Sequence, residues 1–201
     1  MIKVEIDNKP YDIPSGWDEL NLSNFMRLYP ILDKNFDSDI DKSCNIISCI
    51  IGIDNDELFN IPLSDLYSLI DIMSWINVLP SKVVDFIMID DVKYVPVNLS
   101  NITTGEFISL EVINKQGVEQ NLHLMTSILI RPLVDNKIEK LKDMIDIQNR
   151  ADLFKEKLMV GDLWPIISSF FNGAATSSLT NMQDYSNHQE VLQKRLKILN
   201  S

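Results

Sequence analysis

Apolar and polar side chains alternate through residues 2–13 with a polar break at Asp7-Asn8-Lys9, which predicts a half-buried β-hairpin. Pro14-Ser15-Gly16 ends the alternation, and the period then changes. Leu22, Phe25, Met26, Leu28 and Tyr29 recur at helical spacing behind Asn21, a residue suited to cap a helix N-terminus. Pro30 lies inside that run, so the helix is expected to kink or end near it. After an acidic loop at 33–41, Ile46, Ile47, Ile50 and Ile51 predict a buried helix stopped by Gly52. Ser64 then caps a longer run through Leu66, Tyr67, Leu69, Ile70, Met73, Trp75 and Ile76, ended by Pro80. Its apolar positions cover more than one face, which predicts burial on two sides.

The same order then returns. Phe86–Ile89 and Tyr94–Val97 read as a second hairpin around Asp90-Asp91, and Thr103 with Glu106 reads as a capping box opening a helix. The echo is residue by residue: Ile6, Asp7 and Tyr11 against Ile89, Asp90 and Tyr94, Trp17 against Leu99, and Phe25 and Leu28 against Phe107 and Leu110. Leu122, Met125, Ile128 and Leu129 repeat the 46–51 helix, with Pro132 as the breaker. A third match sets Leu58-Phe59 and Asp65-Leu66-Tyr67 beside Leu153-Phe154 and Asp162-Leu163-Trp164. The spacing widens before this last match, and the extra length at 136–150 reads as an inserted amphipathic helix carrying Ile138, Leu141 and Ile145. Internal repetition of this kind bears on the whole architecture.

The expected fold class is therefore α+β, predominantly helical. It contains two hairpin-plus-helices modules, 1–80 and 86–171, packed together because the short connection between them lacks linker composition. The two hairpins are candidates to join in one small antiparallel sheet. Residues 172–187 are small and polar and read as a flexible linker. Residues 188–201 then read as an amphipathic helix, with Val191, Leu192, Leu196 and Leu199 on one side and Lys194, Arg195 and Lys197 on the other. So short a helix needs a docking surface, and those four apolar residues are the candidate partner-binding positions.

Charge sharpens this picture. Residues 1–120 carry 20 acidic against 8 basic side chains and residues 121–201 carry 9 against 10, within a net charge of -11. An acidic body disfavours direct nucleic-acid or anionic-membrane binding, which relies on Lys and Arg clusters. No run is long and apolar enough for a membrane span, and no signal peptide is legible at the N-terminus. Cys44 and Cys49 fit neither a redox pair nor a zinc knuckle and are expected to be free thiols.

Tests for chemistry return nothing catalytic. Asp33, Asn35, Asp37, Asp39 and Asp41 alternate like calcium ligands, but Ser38 stands where the loop needs Gly and Cys44 where it needs a closing Glu. His123 and His188 have no neighbouring metal ligands, so no metal or cofactor is expected. No phosphate loop or nucleophile elbow occurs. Trp17, Trp75, Trp164, Phe170 and Phe171 fall in apolar surroundings and are expected to pack.

One sequence order goes further. A hairpin bearing Tyr11 is followed by Pro14-Ser15-Gly16-Trp17-Asp18-Glu19-Leu20-Asn21-Leu22-Ser23-Asn24-Phe25, echoed over Leu99–Leu110 and by Phe170-Phe171. Over most of 1–171 this resembles tailed-bacteriophage morphogenesis proteins of the tail assembly chaperone type. The resemblance implies a non-enzymatic product that binds tape measure or tail proteins in the host cytoplasm during virion assembly. The alternative is a permanent virion component of the head-tail connector or tail. Such a ring or adaptor would contact portal or connector proteins and form a homo-oligomer.

Overall fold

The computed structural model describes residues 1–80, 84–98, 101–141 and 143–167. Its architecture is α+β and mostly helical, with two small antiparallel sheets. Met1–Pro165 form one unit; Ile166–Ser201 form another, of which 166 and 167 are described and helical. The expected linker at 172–187 and the helix with Val191, Leu192, Leu196 and Leu199 lie outside the described residues, as do Leu99, Phe170, Phe171 and His188.

In the first module, β1 (Ile2–Ile6) pairs antiparallel with β2 (Lys9–Ile13). Asp7 and Asn8 make the two-residue turn at φ 49 and 61. Positive φ at both centres is the type I′ geometry whose twist suits a hairpin, and Asp and Asn tolerate it better than most residues. After a 3-10 turn at Trp17–Glu19, α1 spans Leu22–Asp33, with the Asn21 side chain accepting from the Asn24 N–H at 2.9 Å. Pro30 does not stop α1, because only one intrahelical donor is lost and the helix has one short turn left to run.

The supposed acidic loop ends in helix α2 (Asp39–Ile51). Ser38 is its N-cap and accepts from Asp41 N–H, while Asp39 and Asp41 sit in the first turn, where the helix dipole favours carboxylates. Gly52 closes α2 at φ 73. A short helix α3 (Asn55–Asn60), capped by Asp54, was not expected. Helix α4 (Leu63–Ile72) starts behind Pro62, so Ser64 lies inside its first turn and does not cap it. It gives way to a 3-10 turn at Ser74–Asn77 before Pro80. Ile6, Ile13, Cys44, Ile47, Leu58, Leu66, Leu69 and Met73 bury together, so the hairpin closes over α2, α3 and α4.

The second module departs from its template. Strands β3 (Ile87–Ile89) and β4 (Val92–Pro96) form the expected hairpin, again with positive φ at Asp90 and Asp91. The two hairpins do not join. The other edge of β4 is taken by β5 (Ile130–Val134), which pairs in turn with β6 (Lys137–Ile138). Pro132, expected as a helix breaker, lies inside β5. It lacks an N–H to return the bond that Glu139 N–H donates to its carbonyl at 3.0 Å, so it falls where the β5–β6 ladder stops.

The expected helix over 136–150 is also replaced. Asp135 and Asn136 form a third turn at φ 50 and 58, and Ile138 belongs to β6. The helix there is α7 (Met144–Lys157), burying Ile147, Arg150, Ala151 and Phe154 and leaving Ile145 exposed. That spacing of three and four residues is a helical face, set one step away from the expected stripe.

Helix α5 (Thr104–Lys115) carries the expected capping box. Helix α6 (Val118–Leu129) is the centre of the fold, with Leu122, Met125, Ile128 and Leu129 buried beside α1, α5 and α7. Helix α1 reaches across from the first module to pack on both α6 and α7. A clamp fixes this crossing: Leu22 N–H donates to Leu158 O, and Val160 N–H to Leu20 O, each at 2.8 Å. Around it Phe25 meets Trp17 and Trp164 edge-on, with ring centres 5.9 and 6.0 Å apart, and Trp17 meets Trp75 at 4.9 Å. The indoles are satisfied too, Trp17 Nε1 by Val78 O and Trp75 Nε1 by Pro14 O. These tryptophans pack and bond within the fold, as their apolar surroundings predicted.

Candidate protein-binding surfaces

The first hairpin does not lie flat on α3 and α4. Between them runs a groove of about 590 Å³ whose floor includes Val4, Ile6, Ile61, Leu69 and Ile72. Glu5, Asp7, Glu57 and Asp65 stand along its sides. Glu57 on α3 ties this module together, accepting from Lys9 Nζ at 3.0 Å and from Tyr11 hydroxyl at 3.4 Å, both on β2. Its hydrogen bond and charge raise the Lys9 pKa above the ordinary lysine value. Among the described residues no basic side chain lines the groove. An apolar floor with carboxylates on the walls is complementary to a basic amphipathic segment of another protein.

Two helix faces are bare. On α5, Phe107, Ile108 and Val112 are exposed, Phe107 to 50%. On α3 and α4, Phe59, Leu63 and Tyr67 are exposed, Tyr67 also to 50%. The expectation that the Ser64 run buries on two sides fails here: Leu66 and Leu69 are covered and Tyr67 is not. Single exposed apolar residues need no explanation, but clusters close in the chain mark a candidate interaction surface.

A second cavity, about 390 Å³, lies between the N-termini of α5 and α7 and is lined by Thr103, Gly105, Glu106, Arg131, Lys140 and Asp143 among others. Two helix N-termini beside an arginine suggest anion binding, but the anions are already built in. Glu106 Oε2 accepts from Thr103 N–H at 2.8 Å, and Asp143 accepts from Asp146 N–H at 2.9 Å. Glu106 also holds Arg131, 4% exposed, with Nη2 at 3.0 Å from Oε2 in a contact that is ionic without the alignment of a hydrogen bond. Burial pushes the Glu106 carboxyl up, but the Thr103 N–H and the Arg131 guanidinium outweigh it and hold it below the usual carboxylate value. A second buried arginine, Arg150, donates to Ser127 O at 3.1 Å and pairs with Asp146 at 3.0 Å. Glu106 thus ties α5 to β5, and the Arg150–Ser127 bond ties α7 to α6, while the Arg150–Asp146 pair lies within α7.

His123 is buried on α6, with Nδ1 lacking a hydrogen-bond partner. Burial lowers its pKa, Lys155 lowers it further, and Asp152 opposes both. Cys44 is buried and Cys49 half-buried, both free. Desolvation raises both thiols, which keeps them protonated and unreactive. Among the described residues no three His, Cys, Asp or Glu side chains converge to hold a metal ion, and the spaced carboxylates at 33–41 do not form a cage. No described helix is long and apolar enough to cross a membrane.

Sequence reasoning missed the groove because helix α3 was not anticipated. Asp54 ahead of Asp56-Glu57 was the available signal, a cap followed by acids in a first turn. The four positions chosen from sequence, Val191, Leu192, Leu196 and Leu199, lie outside the described residues. No family model, curated protein or solved structure matches the chain.

Proposed function

We propose that this chain is a non-enzymatic morphogenesis protein of a tailed bacteriophage, of the tail assembly chaperone type, that acts by holding segments of other virion proteins. The observation that carries the binding role is the groove over α3 and α4, with its apolar lining and the carboxylates of Glu5, Asp7 and Asp65 beside the Lys9-paired Glu57. A basic amphipathic segment of a tape measure or tail protein suits it, since carboxylates steer such a segment in and the floor takes up its apolar face. The phage assignment rests on the sequence resemblance alone. The second reading, a permanent connector or tail component, draws on the bare apolar faces of α5 and α4, which suit a standing interface.

Mass spectrometry of purified virions separates the two readings. A chaperone is absent from finished particles and is recovered from infected-cell lysate bound to a tail or tape measure protein. Stoichiometric copies in the virion favour the connector. If the Asp65→Lys and Glu5→Lys variants, tested singly and together, capture the same partner as well as the native protein, the groove is not the binding surface.

A further inference from the structure

The two modules share a hairpin followed by a side-chain-capped helix, yet they are not used alike. Helix α1 of the first module packs on α6 and α7 of the second, while α5, its counterpart, makes no comparable contact with α2, α3 or α4. The intramolecular dock is therefore one-directional. It leaves one donor face and one acceptor face without occupants.

Matched positions identify both. Phe25 is 4% exposed and its echo Phe107 is 50% exposed. Met26 is half-buried and its echo Ile108 is exposed. On the acceptor side, Trp164 touches Phe25, and its echo Tyr67 is 50% exposed. Phe154 is completely buried, and its echo Phe59 is 58% exposed. Both rings of the Phe25–Trp164 contact thus have a counterpart of similar chemistry lying bare on the opposite module.

We propose that the chain self-associates head to tail: α5 of one copy, through Phe107 and Ile108, docks on Phe59, Leu63 and Tyr67 of the next, repeating between chains the α1 dock made within each. The occupant is a second copy because the chain already contains the matching dock. The backbone clamp has counterparts as well. By the same matching, residues 102–104 correspond to 20–22, and 61–63 to 158–160. Such an interface is heterologous, so the assembly grows by the same step each time until a ring closes. Glu111, Asp65 and Asp71 are exposed beside the two faces, so like charges oppose the dock and added salt strengthens it. This inference rests on the fold and does not depend on the phage reading.

Sedimentation velocity of the full chain at raised salt tests it, with Phe107→Asp and Tyr67→Asp as variants at exposed positions and circular dichroism as the check on folding. The native chain is expected to gain mass with concentration, and each variant alone to stay monomeric. Mixed, the two variants are expected to form a dimer and nothing larger, because the Tyr67→Asp chain keeps its donor face and the Phe107→Asp chain its acceptor. A native chain that is monomeric at every concentration overturns the proposal. So does continued assembly of either variant alone, or a mixture that yields no dimer.

Discussion

Replacing Glu106 tests how much of the second module depends on the one carboxylate facing the buried Arg131. Its side chain closes the capping box of α5 and faces Arg131, whose side chain is only 5% exposed. In Glu106→Ala both roles go. The buried guanidinium keeps the bond from Nε to Ile128 O at 3.1 Å but loses its counter-charge. Breaking a buried pair from one side costs about 3–5 kcal/mol, far beyond a surface salt bridge. Glu106→Gln retains an acceptor for Thr103 N–H and should recover about 1 kcal/mol of that loss. Glu106→Gln combined with Arg131→Met removes the stranded charge and is expected to return to within about 2 kcal/mol of the native chain. Urea unfolding at neutral pH measures all three as shifts in midpoint at constant slope. The acid limb is a separate check. The Glu106 carboxyl titrates below its ordinary 4.5 when folded, so its contribution is complete above 4.5 and disappears as pH falls through the lower folded value. Glu106→Gln should flatten that limb. A loss under about 1 kcal/mol for Glu106→Ala, or a double variant no better than Glu106→Gln, refutes the reasoning.

Three further outcomes follow from other parts of the fold. His123 has its pKa lowered in the folded protein, so stability is complete above its ordinary 6.5 and falls as pH drops toward the lower folded value. His123→Leu should remove that slope, which urea titrations at about pH 7.5 and about pH 5.5 would reveal. Phe25→Ala should cost about 3–5 kcal/mol and Phe107→Ala under about 0.5 kcal/mol in the monomer, because the first is 4% exposed and the second 50%. A Cβ on Gly161 would collide with Asp18 Oδ1 and lie 3.0 Å from its backbone nitrogen. Gly161→Ala should therefore lower the thermal midpoint, and adding Asp18→Ala should restore only part of it, since the backbone contact remains.

Much of the local structure was legible because it is set by neighbours in the chain. The Asn21 cap, the Gly52 stop, the Thr103–Glu106 capping box and the Asp-Asn and Asp-Asp turns each need only a few adjacent residues. Failures clustered where a local signal has two uses. Pro132 ends a helix in one context and marks the end of a ladder in another, and only the presence of β4 decides between them. Asp39 and Asp41 look like metal ligands in a loop, yet they serve equally as the acidic first turn of α2. Ile138 and Ile145 fit a helical stripe, but the Asp135-Asn136 turn places one in a strand and leaves the other in water.

The sequence by itself determined that the chain is a mostly helical α+β fold with strand hairpins, because periodicity and caps act over a turn or two of backbone. It could not determine how the two modules are used. Phe25 and Phe107 occupy the same place in the same pattern, and nothing within a few residues of either says which one meets the indole of Trp164. Only the tertiary structure decides that, through the crossing of α1 onto α6 and α7, because burial depends on chain segments more than a hundred residues away along the sequence.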